Sequence, residues 1–382
     1  MKAVKLQAHR DIVLAPSESF LSWEVFMLGG CSILFCLACW AFTDKGASVY
    51  TISQLAFGLA FAANHPHFLS SYILLYSDFK KNIFQRPRYF WAAVIVPALL
   101  GGFLLYALAA GRADFLGHAV NLMFFLVGWH YVKQVFGCII VTSARRKQYY
   151  AQWERNLMLS NLFSLWFLSF CHGQVGSSSF TFYGITYPSL GLPGWLDQAA
   201  QLAVAGSAAG VVLMHVWRYV EKGVRPNPSS VVALGALYVW YLPTFSHPGF
   251  AYMIPFFHSL QYLAFVWSFK KNQVTDQLAG VEGREWRVNW VRDFFGFAIT
   301  ALILGALSFE FIPKFIDAQN WLHYPQLGNS PVLAAVLLFI NTHHYFIDNV
   351  IWKSDNEQVK KYLFADSAAA KEVAVLPMPR SA

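Results

Sequence analysis

Residues 91–110 read WAAVIVPALLGGFLLYALAA, an unbroken run without a charged side chain. As a helix rising about 1.5 Å per residue, that run is about 30 Å long, the depth of a bilayer's hydrocarbon core. Helix is the default form, because lipid offers no partner for a free backbone N–H or C=O. Working outward by hydropathy and flanking charge gives ten such stretches, at about 22–43, 50–77, 89–110, 115–143, 155–172, 196–217, 229–245, 250–269, 291–312 and 330–352. The short alternating segments of a transmembrane barrel do not occur. The expected fold is therefore all-α, a polytopic transmembrane helical bundle of about ten spans. Residues 1–352 form one domain. A cytoplasmic tail, 353–382, is expected to start as a helix after Asp355 and to become disordered where it turns Ala-rich.

Composition agrees. Of 382 residues, 57% are hydrophobic and 13% charged, against about 45–50% and about 25% in soluble domains. Mean hydropathy is +0.42. A disordered chain, a collagen, a coiled coil and an ordinary soluble enzyme are excluded. The net charge of +8 points to a nucleic acid or to a membrane surface, and its distribution decides. With the ten spans in place, Lys45, Arg112 and Lys314 fall on one side and Lys133 inside a span. The other 24 of the 28 basic residues gather on the opposite side. The positive-inside rule puts that side, and both termini, in the cytoplasm. The basic balance is a topology signal, and no nucleic-acid partner is expected.

Trp23, Trp91, Trp195, Trp321 and Trp352 fall near span ends, where interfacial anchors belong. The uncharged external loop 173–195 is expected to lie over the membrane surface, and 270–290 reads as a long polar cytoplasmic loop. Cys31, Cys36, Cys39, Cys138 and Cys171 lie in or at the ends of spans, which suits packing thiols rather than a disulfide framework.

Twelve histidines are present. Six have ordinary positions in loops or near span ends. The other six lie deep: His65 and His67 in the second span, His130 in the fourth, His258 in the eighth, His343 and His344 in the tenth. Counted to the first basic residue at the cytoplasmic end of each span, they sit roughly 13–23 Å deep at about 1.5 Å per residue. Six imidazoles in one slab mark a site, because ionisable groups are costly in lipid. Gln134 shares a face with His130, Gln261 and Tyr262 follow His258 by one turn, and Asp348 follows His344 by four residues. Asp348 reads either as a ligand or as the acceptor that fixes an imidazole tautomer. Lys133 is expected to pair with Asp348 or to face a polar cavity. His65 and His67 point to nearly opposite sides of an ideal helix, so both converge only if Pro66 distorts the turn. His343 and His344 differ by about 100° in azimuth and could reach one broad site or a two-metal site.

Several imidazoles with at most one carboxylate suit iron, copper or zinc. The expected cofactor is non-haem iron, one or two ions, or another transition metal. His65, His67, His130, His258, His343, His344 and Asp348 are the candidate ligands, with Tyr262, Gln134 and Gln261 as catalytic or supporting side chains. Two other readings stand beside this one: a proton-coupled transporter, and a haem-binding or structural subunit of a membrane complex. No Walker loop, dinucleotide-binding glycine fingerprint or serine-nucleophile elbow occurs in a credible context.

Residues 343–353, HHYFIDNVIWK, resemble the ending of uncharacterised bacterial multi-span proteins. Those carry an Asn-x-Pro-His-Phe-like element and a His-Tyr-x-x-Gln element earlier, matched here by residues 64–68 and 130–134. More distantly, the chain resembles bacterial membrane carotene-cleaving dioxygenases, with His67-Phe68 followed by Ser70 and Ser71 as the local echo. As a histidine-rich bundle it also resembles membrane desaturases and hydroxylases, though their HxxxH and HxxHH boxes are absent. These resemblances imply an oxygenase- or desaturase-type oxidoreductase of the bacterial inner membrane. They imply a hydrophobic, lipid-like or isoprenoid-like substrate, contact with membrane lipids, and a redox partner on the cytoplasmic face.

Overall fold

Every apolar stretch of the sequence is helical in the computed structural model, which describes residues 22–42, 47–77, 83–84, 86–246, 248–322, 324–353 and 355–364. Both termini, and with them their expected cytoplasmic placement and the disordered end of the tail, lie outside the described residues. So do Lys45, Lys80, Lys81, His9, His247 and His323.

The elements follow in chain order. α1 runs through Trp23–Val25, a wide π turn at Phe26–Gly30, and Cys31–Phe42. Then come α2 (Ala47–Tyr76), α3 (Pro87–Ala109, with a π turn at Trp91–Ile95), α4 (Ala113–Arg145) and α5 (Gln152–Gln174). A two-stranded hairpin, β1 (Ser179–Phe182) and β2 (Ile185–Pro188), leads into α6 (Gly194–Lys222) and α7 (Pro228–Ser246). A 3₁₀ turn at Pro248–Met253 opens α8 (Ile254–Gln277). α9 (Gly283–Ala318) contains a π turn at Leu307–Phe311. α10 (Pro331–Ile351) is followed by the short α11 (Glu357–Val359) and a π turn at Lys360–Phe364.

Six of these helices, α1, α3, α4, α6, α7 and α9, are long and apolar enough to cross a membrane. α2, α5, α8 and α10 have 30, 23, 24 and 21 residues, so length does not separate them from the six. Polar side chains do. α2 carries Asn64, His65, His67, Ser70 and Ser71, and α10 carries Asn341, His343, His344 and Asp348. The helices that fall short in hydropathy include three that build the centre described below.

Polar contacts tie the chain together at both ends of the bundle. At one end Arg145 faces Glu24 at 3.5 Å and donates to the Leu363 carbonyl, so the first and last described helices meet there. Arg88 pairs with Asp355 at the same end. At the other end the hairpin packs on α4. Asn121 donates to the Pro188 carbonyl, and Ile185 is fully buried. The segment expected as an external loop thus contains a hairpin. Its turn residues Tyr183 and Gly184 both have positive φ, 49° and 88°, the combination that suits a two-residue hairpin turn. The expected long loop at 270–290 is also shorter, because only residues 278–282 separate α8 from α9. Hydropathy follows apolar surface, and the polar last turns of α8 remain helical beyond it.

α10 sits centrally, packed against α2, α3 and α4, while α9 lies along α2. That last contact needs Gly305, since a Cβ there would fall 2.5 Å from the His65 Cβ. The close approach brings α9 over one side of α2 and leaves the other side facing α8 and α10.

Candidate metal centre

Three helices bring His67 (α2), His130 (α4), His344 and Asp348 (α10) to one point. One ligand atom from each lies within 4.8 Å of the others, and all four residues are buried. His344 and Asp348 are four residues apart on one helix face, and His344 Nε2 lies 3.2 Å from Asp348 Oδ2. His130 Nε2 lies 3.8 Å from the same oxygen. Bonds of about 2.0–2.1 Å to a tetrahedral ion set neighbouring ligand atoms roughly 3.3 Å apart. The shorter of these separations has that size.

His258 (α8) stands beside the quartet. Its Nε2 is 3.2 Å from His130 Nε2, and its ring centroid is 4.9 Å from that of His67. Two facing imidazole nitrogens at that distance either share one proton or direct both lone pairs at a common cation.

Surrounding groups fix these rings. Ser259 Oγ donates to Asn64 Oδ1 at 2.5 Å, and its single proton is thereby committed. It must accept from His67 Nδ1, 2.8 Å away. His67 is thus held in the tautomer whose Nε2 carries the lone pair, and that Nε2 is buried without a hydrogen-bond partner. His344 likewise has no hydrogen bond on either ring nitrogen. Buried polar atoms of this kind are rare and costly unless something else engages them.

The Asp348 carboxylate is divided between two tasks. Oδ1 accepts from Ser71 Oγ at 2.7 Å. Tyr262 OH donates to Ser71 Oγ, lies 3.2 Å from Oδ1, and accepts from Trp352 Nε1 at 3.1 Å. Oδ2 is left facing His344 and His130. On the far side of His258, Gln134 donates to the His258 carbonyl and to Gln261 Oε1, both at 3.0 Å. Gln261 donates in turn to the Leu28 carbonyl at 2.7 Å.

Two expected ligands point elsewhere. α2 stays helical through Pro66, so His65 and His67 keep opposite directions. His65 stacks on Phe309 of α9 and lies 4.0 Å from Glu310, which pairs with Lys314. His343 faces α3, where its Nε2 donates to the Ala92 carbonyl at 2.7 Å and its Nδ1 accepts from Tyr72 OH at 2.8 Å. In the π turn of α3 the Val96 N–H bonds to the Trp91 carbonyl, and Pro97 has no N–H, so the Ala92 and Ala93 carbonyls are left to His343 and Tyr76. His343 is interhelical glue. Lys133 is exposed, so it does not pair with the buried Asp348.

Sequence alone gives Ser71 no role beyond the local echo of the dioxygenases, leaves Ser259 unmarked and makes Trp352 only an interfacial anchor. A signal for Ser71 is present in the sequence, since the residue follows His67 by four, on the same helix face.

Comparison of the chain with models of known protein families, with curated protein sequences and with solved structures finds no match.

Proposed function

We propose that the protein is a ten-pass enzyme of the bacterial inner membrane, both termini cytoplasmic, that holds one non-haem iron ion through His67, His130, His344 and Asp348. His258 supplies a fourth nitrogen beside them. The reaction class is oxidative hydroxylation, desaturation or cleavage of a hydrophobic, lipid-like or isoprenoid-like substrate taken from the membrane.

One observation carries this reading. Three imidazoles and a carboxylate from three helices converge in a buried site, and His67 Nε2 and His344 Nε2 have no hydrogen-bond partner there. The donor set fits a borderline transition ion. Bound there, iron supplies the one-electron chemistry and oxygen activation that an unactivated hydrocarbon requires. The chain's own part is positional. Ser259 sets the His67 tautomer, Ser71 and Tyr262 turn one carboxylate oxygen away from the site, and the packed helices exclude bulk water. His67 lies 4.6–6.5 Å, ring centroid to ring centroid, from His344, His258 and His130.

Metal analysis of detergent-purified protein tests the proposal. The expected result is near-stoichiometric iron, lost in His130→Ala and in His344→Ala and retained in His65→Ala. A Soret band, or a metal-free protein that still performs its cellular role, would sink it.

A further inference from the structure

Three cations at one end of the bundle, Arg88, Arg145 and Lys361, have carboxylates of their own in Asp355, Glu24 and Asp276. Arg86 differs. It pairs with no carboxylate among the described residues, and its guanidinium stands 5.7 Å from the Tyr89 ring centroid. It lines a recess of 130 Å³ together with Tyr89, Trp352, Asn356, Glu357 and Gln358.

The polar groups of that recess are mostly donors. Tyr89 is buried, and its OH accepts from Asn356 Nδ2 at 3.1 Å, so its own proton goes to no described acceptor. Asn356 is occupied within the chain, since it also donates to the Ile351 carbonyl and accepts from the Gln358 N–H. A guanidinium and a phenolic proton are left without a protein acceptor. Glu357 is the one described carboxylate on the wall, and it is exposed, where water and salt screen it.

Position indicates where an acceptor would come from. Trp91, 58% exposed, follows Arg86 by five residues, about 7 Å along the start of α3. An exposed Trp at a span end marks the membrane interface, so Arg86 stands at the level of the lipid headgroups. At about 30 Å³ per water, the recess has the volume of a few waters. That suits a phosphate and its ester atoms and is too small for an acyl chain. The exposed apolar side of α3, with Leu99 and Leu105, is left for the chains.

We propose that the Arg86 recess binds the phosphate of an anionic phospholipid, with the guanidinium and the Tyr89 O–H donating to its oxygens. Arginine suits the task because its planar fork meets two oxygens of one phosphate at once. Basic pockets between spans on the cytoplasmic side, which this end is in the proposed topology, are a recurrent seat for such headgroups. The trimethylammonium of a choline lipid would meet both Arg86 and Arg88, which flank the same Tyr89 ring. The site uses no residue of the metal quartet and stands or falls apart from it.

The test uses full-length protein stripped of lipid in a neutral detergent. It is titrated with phosphatidylglycerol and with phosphatidylcholine, and bound lipid is counted by native mass spectrometry. The first phosphatidylglycerol is expected to bind about tenfold more tightly than phosphatidylcholine, the size of one charged hydrogen-bonded contact. Arg86→Gln should erase that preference. Arg86→Lys, which keeps the charge and loses the fork, should retain a smaller one. Arg155→Gln removes an equal charge from an exposed position at the start of α5 and should leave the preference intact. Equal affinity of the wild type for the two lipids would overturn the site, as would a preference that survives Arg86→Gln. An equal loss in Arg155→Gln would overturn it in favour of diffuse attraction to the basic end of the protein. Displacement of the lipid by millimolar inorganic phosphate would overturn it in favour of a soluble anion.

Discussion

Among the described residues two carboxylates are buried, Glu154 and Asp348, and they are answered differently. Glu154, at the start of α5, is fully buried. Arg218 of α6 meets it at 2.5 Å, Lys222 lies 3.8 Å away, and the Ala151 N–H donates to it at 2.6 Å. Arg218 in turn donates to the Tyr149 carbonyl and lies over the Tyr150 ring. The charge is matched by cations of the chain itself. Asp348 is equally enclosed, but its described partners are hydroxyls and imidazole nitrogens, with no lysine or arginine among them. A buried ion pair is complete as folded. A buried carboxylate ringed by neutral nitrogens is completed by a proton or by a cation brought from outside. The first centre ties α5 to α6, and the second could hold a metal ion.

The largest expected effect breaks the first centre. Arg218→Met leaves Glu154 without its nearest cation, and removing one partner of a buried pair costs about 3–5 kcal/mol. Thermal unfolding in detergent should show that loss, while iron content per folded protein stays at the wild-type level. Adding Glu154→Met should return most of the stability, because an apolar pair of similar volume replaces both charges. Asp348→Asn should do the reverse, emptying the metal site while the apo protein remains folded. If Asp348→Asn instead unfolds the protein as severely as Arg218→Met does, the distinction between the two centres fails.

Next in size is the tautomer lock. Ser259→Ala removes the acceptor for His67 Nδ1–H and touches no ligand atom. Loss of such an outer partner typically costs 10–100-fold in metal affinity. Competition with a chelator should show a shift in that range, and an unchanged affinity would remove Ser259 from the account.

A smaller effect separates two neighbouring histidines. His343→Phe gives up the bonds to Ala92 and Tyr72, each worth about 0.5–1.5 kcal/mol. Stability should fall by roughly that much, with metal content unchanged. His344→Ala should lose the metal. Equal metal loss in both would mean that the centre reaches around α10 toward α3.

That contrast also shows what the sequence carried. Apolar run length gave the helices, because it follows directly from the bilayer. The depth count singled out the layer of histidines. Which member of each neighbouring pair turns inward was not legible, since a helical wheel gives angles between residues but not the rotation of the helix. That rotation is set by packing: Gly305 admits α9 against His65, and the π turn of α3 presents a free carbonyl to His343. The hairpin was missed because hydropathy ranks long apolar runs and passes over four-residue strands, although Tyr183-Gly184 carried its turn.

The smallest expected effect comes from exposed charge pairs that fasten the segment after α10. Val359 and Leu363 pack against Val141 and Phe269. Around that apolar contact, Asp276 accepts from Lys361 Nζ at 2.7 Å and from Tyr362 OH at 2.9 Å. Asp355 takes both nitrogens of Arg88, at 2.5 and 2.9 Å. The Lys361 and Tyr362 hydrogen bonds hold the Asp276 carboxyl below its ordinary value, and the Arg88 hydrogen bond does the same for Asp355. A carboxylate depressed in the native state stabilises above its unfolded pKa, near 3.9, and loses that contribution as pH falls through the lower native value. Hydrogen exchange of residues 355–364, corrected for intrinsic rates, should therefore show constant protection from pH 7 to about pH 5 and a loss below about pH 4. Because these pairs are exposed, the loss should be modest and should shrink further in high salt. Asp276→Asn combined with Asp355→Asn should abolish the acid step and leave only the apolar contact. An acid step that survives the double substitution would place the responsible carboxylate elsewhere.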